Sequence, residues 1–500
     1  MKYTYALLGL LIFVSPTFAS AQTFEISGWI PYWRSATGTV DTIAHLKDVS
    51  EVNPFVYTIK SDGSLLDNGS IDQDPWKAFN AAAKAQNVRV IPTVMTGNGT
   101  LVHELLSDPL KRELLAIRIS LMVLIGNFDG VDIDFEGKKS ETRDHYSAFL
   151  KSLSEKLPNK WLSCTIETRI PVEDRYYGTD IPADYGQFSN DLKEINKYCD
   201  QVKIMAYDQQ RIDMKLAAEV DATGELHAPV ADPRWVEKVI NFMSKDIDKS
   251  KIMIGVPTYG YEYAVTAYAG KQYVYDILWT FNPGYAWPLA QAAGITPSRN
   301  SSGEMVFTYI SNTTTPPPIS GAINALLAAS AATAFADQQN SNTTFRMLTW
   351  PDAQSLQQKI DLAKRLGVRG VAIFKWDGGQ DPAMWNVIAN AGATNQVEAP
   401  GVAASPSTPP AAAITRALTV GSTGTDVRTL QRILNSAADT RVAASGVGSP
   451  GKESTMFGPA TLAALKKFQI KYGIVKAGVV GYGSVGPKTR AKLNQVLAAM

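Results

Sequence analysis

Residues 128–136 read Phe-Asp-Gly-Val-Asp-Ile-Asp-Phe-Glu, which sets three carboxyls, Asp132, Asp134 and Glu136, at alternate positions of an apolar, β-favouring run. Alternate residues of a strand project from one face, so the three acids share a side. Like charges this close push one another toward protonation, and packing alone gives no reason to keep such a row. The chemistry it favours is proton donation. Val131, Ile133 and Phe135 fill the opposite face, and the apolar stretch from Leu121 to Ile125 precedes them. Both features make the strand interior rather than a solvated acidic edge.

The full pattern, Asp-x-x-Asp-x-Asp-x-Glu over Asp129, Asp132, Asp134 and Glu136, resembles the signature at the end of the fourth barrel strand in glycoside hydrolase family 18, the chitinase family. That resemblance implies that Glu136 is the general acid for the leaving glycosidic oxygen, that Asp134 orients the 2-acetamido group of the sugar, and that Asp132 shares a proton with Asp134. It also implies that the substrate's own acetamido oxygen attacks the anomeric carbon, so the substrate carries an N-acetyl group at C2. A second match is Val-Lys-Ile-Met-Ala-Tyr-Asp over residues 202–208, similar to the family's Met-x-Tyr-Asp pattern. Met205 and Tyr207 then share a face; Tyr207 is expected to donate to the attacking oxygen and Asp208 to contact the sugar near the scissile bond.

The eighth strand departs from the pattern. Relatives place a Trp where this chain has Phe374, and Trp376 follows two residues later on the same face. Either ring could floor the reactive subsite; Trp376 is favoured for its larger stacking area. The third strand, Ile91-Pro-Thr-Val-Met-Thr96, lacks the Ser-x-Gly-Gly of chitinases. With Gly28-Trp-Ile-Pro-Tyr-Trp33, His227-Ala-Pro-Val-Ala231 and Gly255-Val-Pro-Thr-Tyr-Gly-Tyr261, it is more similar to the family's cell-wall and spore-germination branch. Pro31, Tyr32 and Trp33 are expected to line the cleft, and Tyr259 and Tyr261 likewise.

Such residues work only if several strand ends converge. Apolar, strand-like runs recur at 26–33, 49–58, 88–94, 130–136, 161–168, 201–207, 251–258 and 368–376, with helical stretches at 75–85, 108–124, 142–157, 183–198 and 235–245 among them. Eight such units imply an α/β fold, the (β/α)8 TIM barrel, whose active sites gather at the carboxyl ends of the strands. About 262–346 is too long for a loop and reads as an α+β insertion between strands seven and eight. Its Tyr263, Tyr268, Tyr273, Tyr275, Trp279, Tyr285 and Trp287 are expected mostly to form its own core.

The chain's 500 residues suit one large domain and a small one. Residues 1–21, with Lys2, an apolar Ala6–Val14 and Ala19-Ser20-Ala21, read as a secretory signal, so a secreted protein in an extracellular, periplasmic or wall setting is expected. Export permits a bridge between Cys164 and Cys199, on neighbouring strands, though spacing alone leaves the pairing open. Two cysteines and His45, His103, His145 and His227 show no metal-ligand spacing, so no metal or cofactor is expected. Residues 22–394 are assigned to the barrel and 395–415 to a Pro/Ala/Ser linker.

From Arg416 onward 12 Lys and Arg face 3 Asp and Glu, a net of +9, leaving 36 against 44, or −8, for the remainder. A basic tail on an acidic body suits attachment to an anionic polymer; aromatics do not interleave with the cations as nucleic-acid binding would require. Residues 416–500 resemble the three-helix peptidoglycan-binding domain of wall hydrolases, with Val427, Leu430 and Leu434 on one helix face and Pro459 and Pro487 opening two more helices after glycine. The resemblance implies a wall-bound glycosidase for polymers containing N-acetylglucosamine, peptidoglycan before chitin. A non-catalytic carbohydrate-binding wall protein is the alternative from another class. No membrane span is expected beyond the leader.

Overall fold

The computed structural model describes residues 24–270, 272–310, 325–339, 342–393 and most of 414–497. The expected leader at 1–21 and, except for Ile414, the expected linker at 395–415 lie outside the described residues.

Eight parallel strands close into a barrel: Glu25–Pro31, Glu51–Ile59, Thr93–Thr96, Gly130–Phe135, Trp161–Ile166, Gln201–Ile204, Ile252–Pro257 and Gly370–Phe374. Each bonds to the next, and the eighth returns to the first. Helices fill the connections, and their starts follow from side-chain caps. Asp108 accepts from Leu110 N at 2.8 Å to open Pro109–Ile125, and Asp232 accepts from Arg234 N at 2.8 Å to open Pro233–Met243.

Several boundaries differ from expectation: the fifth strand stops at Ile166, the sixth at Ile204 and the eighth spans only Gly370–Phe374, and three further differences have local causes. The third strand is split into Arg89–Val90 and Thr93–Thr96, because Pro92 between them has no N–H for the ladder. The helix expected over 183–198 is only Leu192–Tyr198; Asp191 caps it, and the turns before it include Gly186 at φ 93°. The insertion starts at Gly260 and runs to Trp350 as a five-stranded antiparallel sheet, ordered Gln272–Phe281, Gly260–Tyr268, Thr343–Trp350, Met305–Tyr309, Ser298–Arg299. Its aromatics divide. Tyr263 packs with Val265, Phe345 and Met347, with Tyr273 and Tyr275 against them, whereas Tyr268 and Trp279 on the sheet and Tyr285 and Trp287 on the helix Pro283–Ala292 are exposed rather than core.

The barrel interior is polar beneath the acids. Lys203 Nζ lies 3.0 Å from Glu51 and 3.9 Å from Asp132, all three fully buried. Burial alone would raise the Glu51 pKa, but Lys203 and Arg89 outweigh it and hold the carboxyl below its usual range. Cys164 and Cys199 are joined, Cα to Cα 6.1 Å, tying the fifth strand to the residue before the helix-to-strand step into the sixth. Among the described residues no helix is long and apolar enough to cross a membrane.

The C-terminal unit is compact in its own right. Helices Thr425–Asn435, Pro459–Lys471 and Pro487–Leu497 enclose Val427, Leu430, Leu434, Leu465, Phe468 and Leu493.

Candidate active site

The strand register seats the acids. Asp132 lies opposite Thr93 and Ser163, and Asp134 opposite Met95 and Thr165, while Glu136 follows the strand's end, its N–H donating to Thr96 O at 2.9 Å. Phe135, pointing outward, stacks on Phe149 of the covering helix at 5.6 Å, which holds the strand's apolar face against that helix.

Asp132 is wholly buried and accepts three hydrogen bonds. Its carboxylate accepts from Trp29 Nε1, Thr93 Oγ1 and Thr165 Oγ1, each at 2.9 Å. Asp134 is hydrogen-bonded to Glu136. Asp134 Oδ1 is buried with no hydrogen-bond partner among the described residues. Burial first, then the charges of Glu136 and Asp132, push the Asp134 pKa far above the usual carboxyl range, against the pull of Lys138. Burial and Glu167 raise that of Glu136, again opposed by Lys138.

Above this pair opens a cavity of about 270 Å³ lined by Trp29, Phe55, Asp134, Glu136, Thr165, Glu167, Met205, Tyr207, Asp208, Tyr259 and Phe374 among others. Tyr207 stacks nearly parallel on Phe374, centroids 5.9 Å apart, and burial among Asp134, Asp208 and Glu136 holds its hydroxyl protonated. Asp208 adopts φ 58° and accepts from Tyr261 OH at 2.6 Å and from Tyr259 OH. A left-handed non-glycine residue held by two phenols aims its carboxylate by design of the surrounding shell.

Sequence reasoning brought Met205, Tyr207, Asp208, Phe374 and Tyr259 to this cleft, and all five line it. Trp376 is a correction. It is only 1% exposed, and its ring lies behind the first strand, where a Cβ on Gly28 would come within 2.5 Å. The strand ends at Phe374, so the two-residue alternation does not carry to Trp376, and Phe374 is the eighth-strand ring at the cavity. Tyr32 and Trp33 are 36% and 52% exposed, in a short turn after the first strand. Trp33 meets Phe55 edge to face at 5.9 Å, which places both rings at the rim rather than the floor.

Glu167 and Lys138 were missed. Lys138 Nζ lies 3.7 Å from Glu167 Oε2, and Asn190 donates to that same oxygen at 2.7 Å. The available signal was position: each follows a barrel strand by one step of the alternation that serves Glu136 and Thr165. No group of three or more His, Cys, Asp or Glu among the described residues is arranged to hold a metal ion.

The family model described as glycosyl hydrolases family 18 matches residues 28–381, and a peptidoglycan binding domain model matches residues 423–493. The chain is 23% identical over 235 residues to the uncharacterized glycosylase YvbX of Bacillus subtilis, covering 45% of this chain and 63% of that protein. It spans 47% of a second curated relative, so about half to two thirds of the relatives' lengths are matched. Among solved structures, the spore cortex-lytic enzyme SleL of Bacillus megaterium superposes with a TM-score of 0.54 at 19% identity, over 75% of each chain. A class V chitinase from Pseudomonas fluorescens does so at 0.53 and 18%, over 74% of this chain and 100% of its own. At such identities the likeness establishes the barrel fold.

Proposed function

The chain belongs to glycoside hydrolase family 18, and on that premise we propose that it is a retaining glycosidase cutting β-1,4 bonds next to N-acetylglucosamine in peptidoglycan. The observation that carries this is the pair of buried Asp134 and half-buried Glu136, hydrogen-bonded to each other and both held toward protonation in the cleft. Glu136 gives its proton to the departing glycosidic oxygen. The acetamido oxygen of the sugar attacks the anomeric carbon from the other face, closing a ring intermediate in place of a protein ester. Asp134, with Oδ1 uncommitted, accepts from the acetamido N–H and balances the positive charge that forms. Tyr207 donates to the acetamido oxygen and Phe374 and Tyr259 enclose the ring. Water then opens the intermediate with Glu136 as base, and the original anomeric configuration is restored.

Preference for peptidoglycan over chitin is supported by the basic C-terminal module and its family match. The test is nuclear magnetic resonance of the first-formed product from an N-acetylated oligosaccharide and from its de-N-acetylated counterpart. The β anomer, from the acetylated substrate alone, is the expected outcome. An α product, or equal cleavage of both substrates, would contradict the proposal.

A further inference from the structure

Beside the cleft lies a second cavity of about 260 Å³ that shares Thr168 and Ile212 with it and is otherwise lined by the segment after the fifth strand. Two guanidiniums face it. Arg169 lies 3.8 Å over the Phe188 ring and donates to the Asn190 carbonyl; Arg175 lies 5.7 Å from the Tyr176 ring centre and is exposed. Neither has a carboxylate within ion-pair distance among the described residues, although other arginines in the barrel do. Asp184 is the acid in the lining, so two cations stand against one carboxylate. Arg169 is half-buried; burial lowers its pKa to about 10, with Glu167 opposing, so it stays charged at neutral pH. Stacking on the rings leaves the in-plane N–H groups of Arg175, and those of Arg169 not given to Asn190, for an incoming anion.

The position is tied to the catalytic carboxyls. Asn190, whose carbonyl receives Arg169, donates its own amide to Glu167, which borders Glu136. The cationic side pocket thus adjoins the cleft through Thr168 and Ile212, on the side of Glu167. Chitin carries no charged substituent there, whereas every second sugar of a wall glycan carries a lactyl ether ending in a carboxylate or a peptide.

We propose that the Arg169–Arg175 cavity is a subsite for a carboxylate borne on the sugar beside the scissile bond, so that the barrel itself selects an anionic wall glycan over a neutral one. This rests on the wall-glycan reading above and adds the group that makes the selection. Guanidinium and carboxylate pair bidentately, a geometry that lysine does not reproduce.

The experiment is a ratio of kcat/KM values measured on the full chain. One substrate is a glycan strand freed of its peptides, with lactyl carboxylates intact; the other is an N-acetylglucosamine oligomer of the same length. The wild-type ratio should favour the carboxylated strand, and Arg175→Glu should lower it about tenfold or more, as expected for a lost charged hydrogen bond. Arg175→Lys should retain part of the preference, and Arg169→Lys should lose more of it than Arg175→Lys. Because the neutral oligomer is cleaved at the same bond, a misfolded variant loses both rates and leaves the ratio unchanged; circular dichroism identifies that case, and Arg175→Gln then supplies the ratio. A folded Arg175→Glu with the wild-type ratio, or a wild type preferring the neutral oligomer, would overturn the subsite while leaving the glycosidase standing. A wild type inert on both substrates would remove the proposed function and the subsite together.

Discussion

Glu136 can donate a proton only while its carboxyl stays protonated, and its neighbours set how far into the neutral range that lasts. Burial and the charge of Glu167 hold its pKa up, and Lys138 works against them. Activity limited by this acid therefore falls as pH rises through the elevated pKa. Replacing Glu167 by Gln removes one raising charge, so the alkaline limb of kcat/KM should move to lower pH; a limb left in place would take Glu167 out of the tuning. Residues of this kind were unequally legible. Asp132, Asp134 and Glu136 could be read because a single strand and its first following residue fix their spacing, and Tyr207 and Asp208 because a short motif past the end of another strand carries them. Glu167 and Lys138 lie on different segments, and the pairing of the fourth and fifth strands brings them within 3.7 Å. Spacing along each strand marks the two positions but does not show that they meet.

At the scale of elements, the eight apolar runs sufficed for the barrel because parallel strands covered on both faces are nearly continuous in apolar and β-branched residues. The periodicity failed where a strand stopped. Beyond Phe374 the alternation no longer applies, and Trp376 packs under the first strand, closed in by Gly28. The absence of a side chain at Gly28 is thus part of how the eighth strand ends. Gly28→Ala would drive a methyl into a ring that is 1% exposed, and denaturant unfolding should show a loss of about 1–3 kcal/mol. A neutral result would mean that the ring has room the packing denies. Pro92 and Asp191 explain two other misplaced boundaries: a missing donor splits one strand and a side-chain cap delays one helix.

The whole molecule carries its charge unevenly, −8 before Arg416 and +9 from there on. The acidic body and the basic module each have their own core, which suits the proposed division of cutting from attachment. Deleting residues 414–500 should leave the hydrolysis of soluble oligosaccharides intact and abolish retention on insoluble walls in a pelleting assay. Wild-type retention should weaken as salt rises, since the attraction is between exposed charges. Retention unaffected by the deletion would move wall attachment onto the barrel. The most direct measurement of the central claim is product analysis after incubation with purified peptidoglycan and, separately, with chitin oligosaccharides, using wild type and Glu136→Gln. New reducing ends at N-acetylglucosamine from peptidoglycan, absent with Glu136→Gln although that variant still binds the glycan, are the expected result. Hydrolysis that survives in Glu136→Gln, or wild-type protein that binds peptidoglycan without cutting it, would contradict the account.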